Sequence, residues 1–149
     1  DLTHNTALAT VYCPNNRLTA LDLSKNTALA TLACSRNQLT ALDLSQNTAI
    51  TELYCNNNQL AALDLSRNTA LTELYCNGNR LTTLDLSRNT ELTKIYCDDN
   101  PLTELNISNL SKIEEIVFGD NPEINVIANS QTVVSDEVRH YMDGKRKTP

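Results

Sequence analysis

Cys13, Cys34, Cys55, Cys76 and Cys97 recur every 21 residues, and Leu21, Leu42, Leu63, Leu84 and Leu105 keep the same step. A fixed interval of this size means that one small unit is copied along the chain. A unit that short cannot bury an apolar face alone, so it must stack on its neighbours around a shared interior. The period therefore dictates a solenoid before any local motif is read. Residues 71–92, LTELYCNGNRLTTLDLSRNTEL, are the clearest copy.

Each unit has two halves. The first reads L-x-x-L-x-C-x-x-N-x-L, as in Leu71, Leu74, Cys76, Asn79 and Leu81; the second reads L-x-x-L-D-L-S-x-N, as in Leu81, Leu84, Asp85, Leu86, Ser87 and Asn89. In both, apolar residues two apart point inward and the residue between them points out, which is a strand signal. Two short extended segments per unit are expected. The Asn residues that end the halves form two columns, Asn16, Asn37, Asn58, Asn79, Asn100 and Asn121, and Asn5, Asn26, Asn47, Asn68 and Asn89. They belong to corners, where the backbone loses its ladder partners and an amide offers both donors and an acceptor.

The equal spacing also bears on the cysteines. In the sixth copy Phe118 takes the Cys place, so the position is apolar and inward. Parallel strands hold side chains about 4.8 Å apart, whereas a disulfide wants Cβ atoms about 3.8 Å apart. A ladder of buried free thiols is the favoured reading; disulfides and metal ligation are the alternatives, and an interval of 21 is unlike the short Cys pairs of zinc sites.

The first half resembles the leucine-rich repeat framework L-x-x-L-x-L-x-x-N-x-L, with Cys in place of the third Leu. The 21-residue length, the Cys ladder and the LDLSxNTxL second half are similar to a subclass found in bacterial surface proteins, including some internalins. The resemblance covers residues 1–123 in six register copies, the first truncated, and leaves residues 124–149 as a C-terminal cap and basic tail. It implies a leucine-rich repeat solenoid, mostly β, with parallel Cys-bearing strands stacked in a right-handed coil. It also implies an extracellular or cell-surface setting. Because both halves look extended, with no room for a helix, the coil is expected to curve weakly. Six rungs make a body roughly 25 to 30 Å long.

The ends break the pattern differently. The chain opens partway through a unit, at Asp1-Leu2-Thr3-His4-Asn5, and an uncapped parallel edge is a surface for end-to-end association. After Asn121-Pro122 the register is expected to slip. Ser135-Asp136-Glu137 then reads as a helix start, with Val138, Tyr141 and Met142 on one face and Gly144 at the stop. A short helical cap over the last rung follows. The Lys145-Arg146-Lys147 tail reads as a solvated end.

Core positions are set by the repeat, so function falls to the outward ones. Between Leu and Cys these are Tyr12, Ala33, Tyr54, Tyr75, Tyr96 and Val117; beside them run Thr10, Thr31, Glu52, Glu73, Lys94 and Glu115, and beyond the Cys come Asn56, Asn57, Asn77, Asp98, Asp99 and Asp120. Tyr is suited to interfaces because it joins apolar area to a polar tip. A tyrosine column also stabilises a sheet by cross-strand stacking, and the two roles are compatible. The candidate binding residues are Tyr12, Tyr54, Tyr75, Tyr96, Glu52, Glu73, Lys94, Asn56, Asn77 and Asp98. Their carboxylates suit a protein partner with a basic or mixed surface; a sugar, stacking on Tyr and hydrogen-bonding to Asn and Asp, is the alternative, and a passive spacer is a third reading.

A second acidic column, Asp1, Asp22, Asp43, Asp64 and Asp85, continues as Asn106. Like charges on adjacent strands repel, and the neighbouring His4, Lys25, Gln46, Arg67 and Arg88 are expected to pair several of them. Single file does not converge the six to eight oxygens that calcium needs. Residues 1–123 carry 8 basic and 15 acidic residues, a balance of −7, a field that disfavours nucleic acid and anionic membranes. No apolar run is long enough to span a bilayer. His4 and His140 are the only histidines, and no nucleophile elbow or phosphate-cradling glycine run is present, so no catalytic residues, metal or cofactor are expected.

Overall fold

A computed structural model describes residues 2–119 and 124–128. The apolar–outward alternation becomes eight strands of three residues each: β1 (Thr10–Tyr12), β2 (Thr31–Ala33), β3 (Glu52–Tyr54), β4 (Glu73–Tyr75), β5 (Lys94–Tyr96), β6 (Glu104–Asn106), β7 (Glu115–Val117) and β8 (Asn125–Ile127). Six pair in parallel in the order β1-β2-β3-β4-β5-β7, and β6 pairs with β8 in a second sheet. Every pairing joins residues 21 apart, as in Leu53 with Leu74 and Tyr54 with Tyr75. The sequence period is thus one turn of the coil. No helix occurs among the described residues.

The central residue of each strand in the large sheet, Val11, Leu32, Leu53, Leu74, Ile95 or Ile116, is buried. The Cys that follows continues the ladder: Cys55 N–H donates to Tyr75 O at 2.9 Å and Cys76 N–H to Tyr96 O at 2.8 Å. Leu60, Leu65, Leu71 and their equivalents close the interior from the other sides, all within one cluster. Burying a leucine side chain contributes about 1.5 to 3 kcal/mol, so the stack of Leu columns is the main stabilising term.

Only the first half forms a continuous sheet. The second half is ordered mostly by turns, such as the one closed by Asn47 N–H to Leu44 O at 3.0 Å, and pairs as strands at β6 and β8 alone. The register expected to slip after Asn121-Pro122 instead holds its interval of 21 there, Leu105 pairing with Val126 and Asn106 with Ile127. The reason is that Ile124 and Val126 supply inward apolar positions, Ile124 being 5% exposed. The expected helix at 135–144, the basic tail, Asp1, Asp120 and Asn121 lie outside the described residues.

The two Asn columns work unequally. In the first, Asn58 Nδ2 donates to Cys34 O at 3.1 Å and Cys55 O at 3.0 Å, and its Oδ1 accepts Leu39 N–H at 3.0 Å. Asn37, Asn79 and Asn100 repeat this. In the second, Asn47 Nδ2 donates to Leu23 O at 3.0 Å and Asn26 O at 2.8 Å. The Oδ1 atoms of Asn26, Asn47, Asn68 and Asn89 are buried and meet no protein donor, so this column acts through its donors only. The loop after the Cys turns through the left-handed region at Asn15, Arg36, Asn57, Gly78 and Asp99. At Gly78 a Cβ would also lie 2.7 Å from Asn57 Oδ1.

Candidate functional site

The wall formed by the large sheet carries the outward columns. Register places Tyr54, Tyr75 and Tyr96 on adjacent strands. Their rings stack: centroids are 4.8 Å apart with planes at 25° for Tyr54–Tyr75, and 4.6 Å apart at 10° for Tyr75–Tyr96. Such spacing is favourable for offset aromatic pairs. Val117 follows Tyr96 in the same column, and Ala33 precedes Tyr54. Ala33, outward by pattern, is only 7% exposed, because a methyl group does not rise above its neighbours. Tyr12, beyond it, is 79% exposed and stands apart from the stack.

Carboxylates flank the rings. Tyr54 OH lies 3.3 Å from Glu52 Oε2 and 3.2 Å from Glu73 Oε2, and Tyr96 OH donates to Glu115 Oε1. Lys94 Nζ pairs with Glu73 Oε1 at 2.9 Å, the two side chains being 35% and 24% exposed. Partial exposure keeps the contribution of such a pair small. Burial, followed by the charges of Glu52 and Glu73, pushes the Tyr54 phenol up. The bond to Glu115, followed by burial, raises Tyr96 to about 12. Hydrogen bonding to Glu73 raises Lys94. Tyr54 and Tyr96 are therefore neutral donors and Lys94 a fixed cation at physiological pH.

At the strand ends, Ser35 Oγ donates to Asn56 Oδ1 at 2.6 Å. Asn77 and Asp98 are half-buried on the following rungs. Burial raises the Asp98 carboxyl, a nearby Asp99 adding to this while a backbone hydrogen bond opposes it. Of the candidate residues, Tyr54, Tyr75, Tyr96, Glu52, Glu73 and Lys94 form one connected patch; Asn56, Asn77 and Asp98 border it, and Tyr12 is detached. Glu115 joins the patch although it stood outside the candidates. Its place in the Glu52–Glu73–Lys94 column was the available signal.

The second acidic column departs from expectation. Asp22, Asp43, Asp64 and Asp85 are not paired with Lys25, Arg67 or Arg88; each Oδ1 instead accepts the N–H of the Ser two residues on, at 2.9 to 3.0 Å. Among the described residues the ion pairs are Lys94–Glu73 and Lys112–Glu91. A short side chain closing its own turn gives up less freedom than a long cation held against it. Hydrogen bonds from the Ser residues hold all four carboxyls below the usual Asp range. Two surface hollows of about 290 and 280 Å³ lie along this wall, one beside Asp85 and Asn106, the other between Asp43 and Asp64. Both fall below the size of ordinary ligand pockets.

All five thiols are free; Cys34, Cys55, Cys76 and Cys97 are buried and Cys13 half-buried. Burial pushes Cys34 and Cys97 to about 12, and Cys55 and Cys76 well above the usual thiol range. They are core side chains, not nucleophiles. No group of three or more His, Cys, Asp or Glu side chains among the described residues is placed to hold a metal ion. No described helix is long and apolar enough to cross a membrane.

No family model matches the sequence, and no curated protein matches it. Solved structures do. The functional domain of InlJ from Listeria monocytogenes, which includes a cysteine ladder, is 38% identical over 89% of this chain and 32% of that one, with a TM-score of 0.76. An internalin, InlF, from the same species matches 80% of this chain and 37% of its own at 24% identity and TM-score 0.74. A leucine-rich repeat protein of Leptospira interrogans matches 89% and 34% at 22% identity and TM-score 0.74. The last two speak to the fold alone. The chain spans about a third of the length of each of these structures. With its 21-residue turn, stacked parallel strands and ladder of buried thiols, the chain is a leucine-rich repeat solenoid of the internalin-like, cysteine-ladder kind.

Proposed function

We propose that this solenoid is a non-enzymatic recognition module of a cell-surface or secreted protein, which binds a protein partner on the wall bearing Tyr54, Tyr75 and Tyr96. The carrying observation is the tyrosine stack itself, three partly exposed rings held in file and edged by Glu52, Glu73 and Glu115 on the outer face of the sheet. Internalin-like repeat proteins generally mediate protein–protein recognition, which supports the class of partner. Their setting supports the location.

The geometry favours protein over sugar. A pyranose needs an open ring face; both faces of Tyr75 are occupied by its neighbours, so ring faces are open only beyond the ends of the stack. Along the stack the wall offers ring edges, hydroxyl oxygens and carboxylates, a strip suited to a partner with basic side chains. Such binding weakens as salt rises, since exposed charges are screened over about 10 Å at 0.1 M.

The test is a panel of candidate surface proteins alongside a glycan array, each titrated with the wild type and a Tyr54→Ala, Tyr75→Ala, Tyr96→Ala variant. The expected result is a protein ligand whose affinity is lost in the variant. A ligand that binds both equally removes this wall from the account, glycan-only binding replaces the partner class, and silence throughout returns the chain to a spacer.

A further inference from the structure

The tyrosine stack has two ends, and they are not alike. At one, Tyr96 is followed in register by Val117, a branched and half-buried side chain. At the other, Tyr54 is followed by Ala33, so the outer face of the Tyr54 ring has only a methyl group beside it before Tyr12, two strands away. Two strand spacings amount to about 9.6 Å. A planar group in contact with a ring on each side needs about 7 to 8 Å, so one such group fits between the rings.

The carboxylates of this wall are not equivalent either. Glu73 is taken by Lys94, and Glu115 by the Tyr96 hydroxyl. Glu52 sits on the same strand as Tyr54, touches its hydroxyl at 3.3 Å and is paired with no cation among the described residues. A carboxylate with no cation partner among the described residues and the open end of the tyrosine stack therefore meet at β3. A flat cation answers both: it stacks on the ring through the π-cloud and pairs with the carboxylate through N–H donors. Ammonium, compact and strongly hydrated, fits the ring poorly by comparison.

From this we infer that the step in the tyrosine column over Ala33 is a guanidinium subsite, which receives an arginine side chain of the protein partner between Tyr12 and Tyr54 and pairs it with Glu52. This rests on the reading of the wall as the recognition face. The 79% exposure of Tyr12 leaves that ring free to close over the guest.

The probe is acetyl-Gly-Arg-Gly-amide, titrated into the whole protein against its lysine and citrulline analogues, with the ring resonances of the tyrosines followed by NMR. Expected are shifts at Tyr54 and Tyr12 that are strongest for arginine. Glu52→Gln should weaken the arginine peptide about fivefold, the scale of one exposed ion pair. Ala33→Tyr, which extends the stack and fills the step, should abolish the response. Glu104→Gln, a matched charge change on the other wall, should leave it intact. Arginine and lysine responses of equal strength, shifts centred on Tyr96 instead of Tyr54 and Tyr12, or wild-type binding in both Glu52→Gln and Ala33→Tyr would each overturn the subsite. If a protein partner is still lost in the triple tyrosine variant while the arginine peptide shows no preference, the subsite fails and the wall stands; if the partner ignores the triple change, the wall fails as well.

Discussion

The rings of Tyr75 and Tyr96 lie with centroids 4.6 Å apart and planes within 10° of parallel, on strands whose residues pair 21 apart. Tyr75 has a second such neighbour in Tyr54. Tyr75→Ala removes two ring pairs and should cost about 1 to 3 kcal/mol. Tyr75→Phe keeps the stack and should cost less than about 0.5 kcal/mol, while Tyr96→Phe also loses the bond to Glu115. Urea denaturation of the three variants checks the order, and Tyr75→Ala as stable as wild type would deny the stack any structural value.

Asn58 shows why corners matter more than their exposure suggests. Its side chain serves Cys34 O, Cys55 O and Leu39 N, and all three partners lie inside the stack. Asn58→Ala leaves these groups without a partner and should destabilise by about 3 kcal/mol or more, since each unsatisfied buried group costs about 1 to 3. The neighbouring Asn57→Gly, exposed and at φ 56°, should be neutral or stabilising because glycine adopts that conformation freely. Comparing the two unfolding midpoints separates ladder chemistry from loop chemistry.

Asp22, Asp43, Asp64 and Asp85 have carboxyls held low by the Ser hydrogen bonds. A depressed folded-state pKa adds stability above the unfolded value, about 3.9, and that stability is lost as pH falls through the folded value. Thermal unfolding should therefore worsen below about pH 4. Asn106 Oδ1 accepts Ser108 N–H at 3.0 Å in the same place, so an amide keeps the turn without titrating. Replacing all four Asp by Asn should flatten the acid limb and lower the neutral-pH midpoint slightly, toward its acid value; an acid limb of undiminished depth would assign it to other carboxyls.

The thiols should divide by position. Cys13, half-buried, reacts first with a thiol reagent at pH 8, while Cys34, Cys55, Cys76 and Cys97 wait for unfolding, being both buried and held as thiols. Rapid labelling of several thiols in the native protein would contradict the burial of the ladder. The single early thiol should disappear in Cys13→Ala.

The period of 21, the inward Leu and Cys columns and the corner asparagines were all legible in the sequence, because each is a local demand repeated often enough to exclude other registers. A residue such as Leu74 declares its side of the sheet by its spacing from Leu71 and Cys76. What only the tertiary structure decided concerns contacts across rungs, where several partners compete for one group. Glu73 chose Lys94, the Asp column chose its own Ser N–H groups over Lys25, Arg67 and Arg88, and Ala33 ended the aromatic stack one strand short of Tyr12. Val126 kept the register where the pattern had faded, since burial of an apolar side chain does not require the repeat's preferred letter. Periodicity names the wall on which each side chain stands; distances of about 3 Å between neighbours settle what it does there.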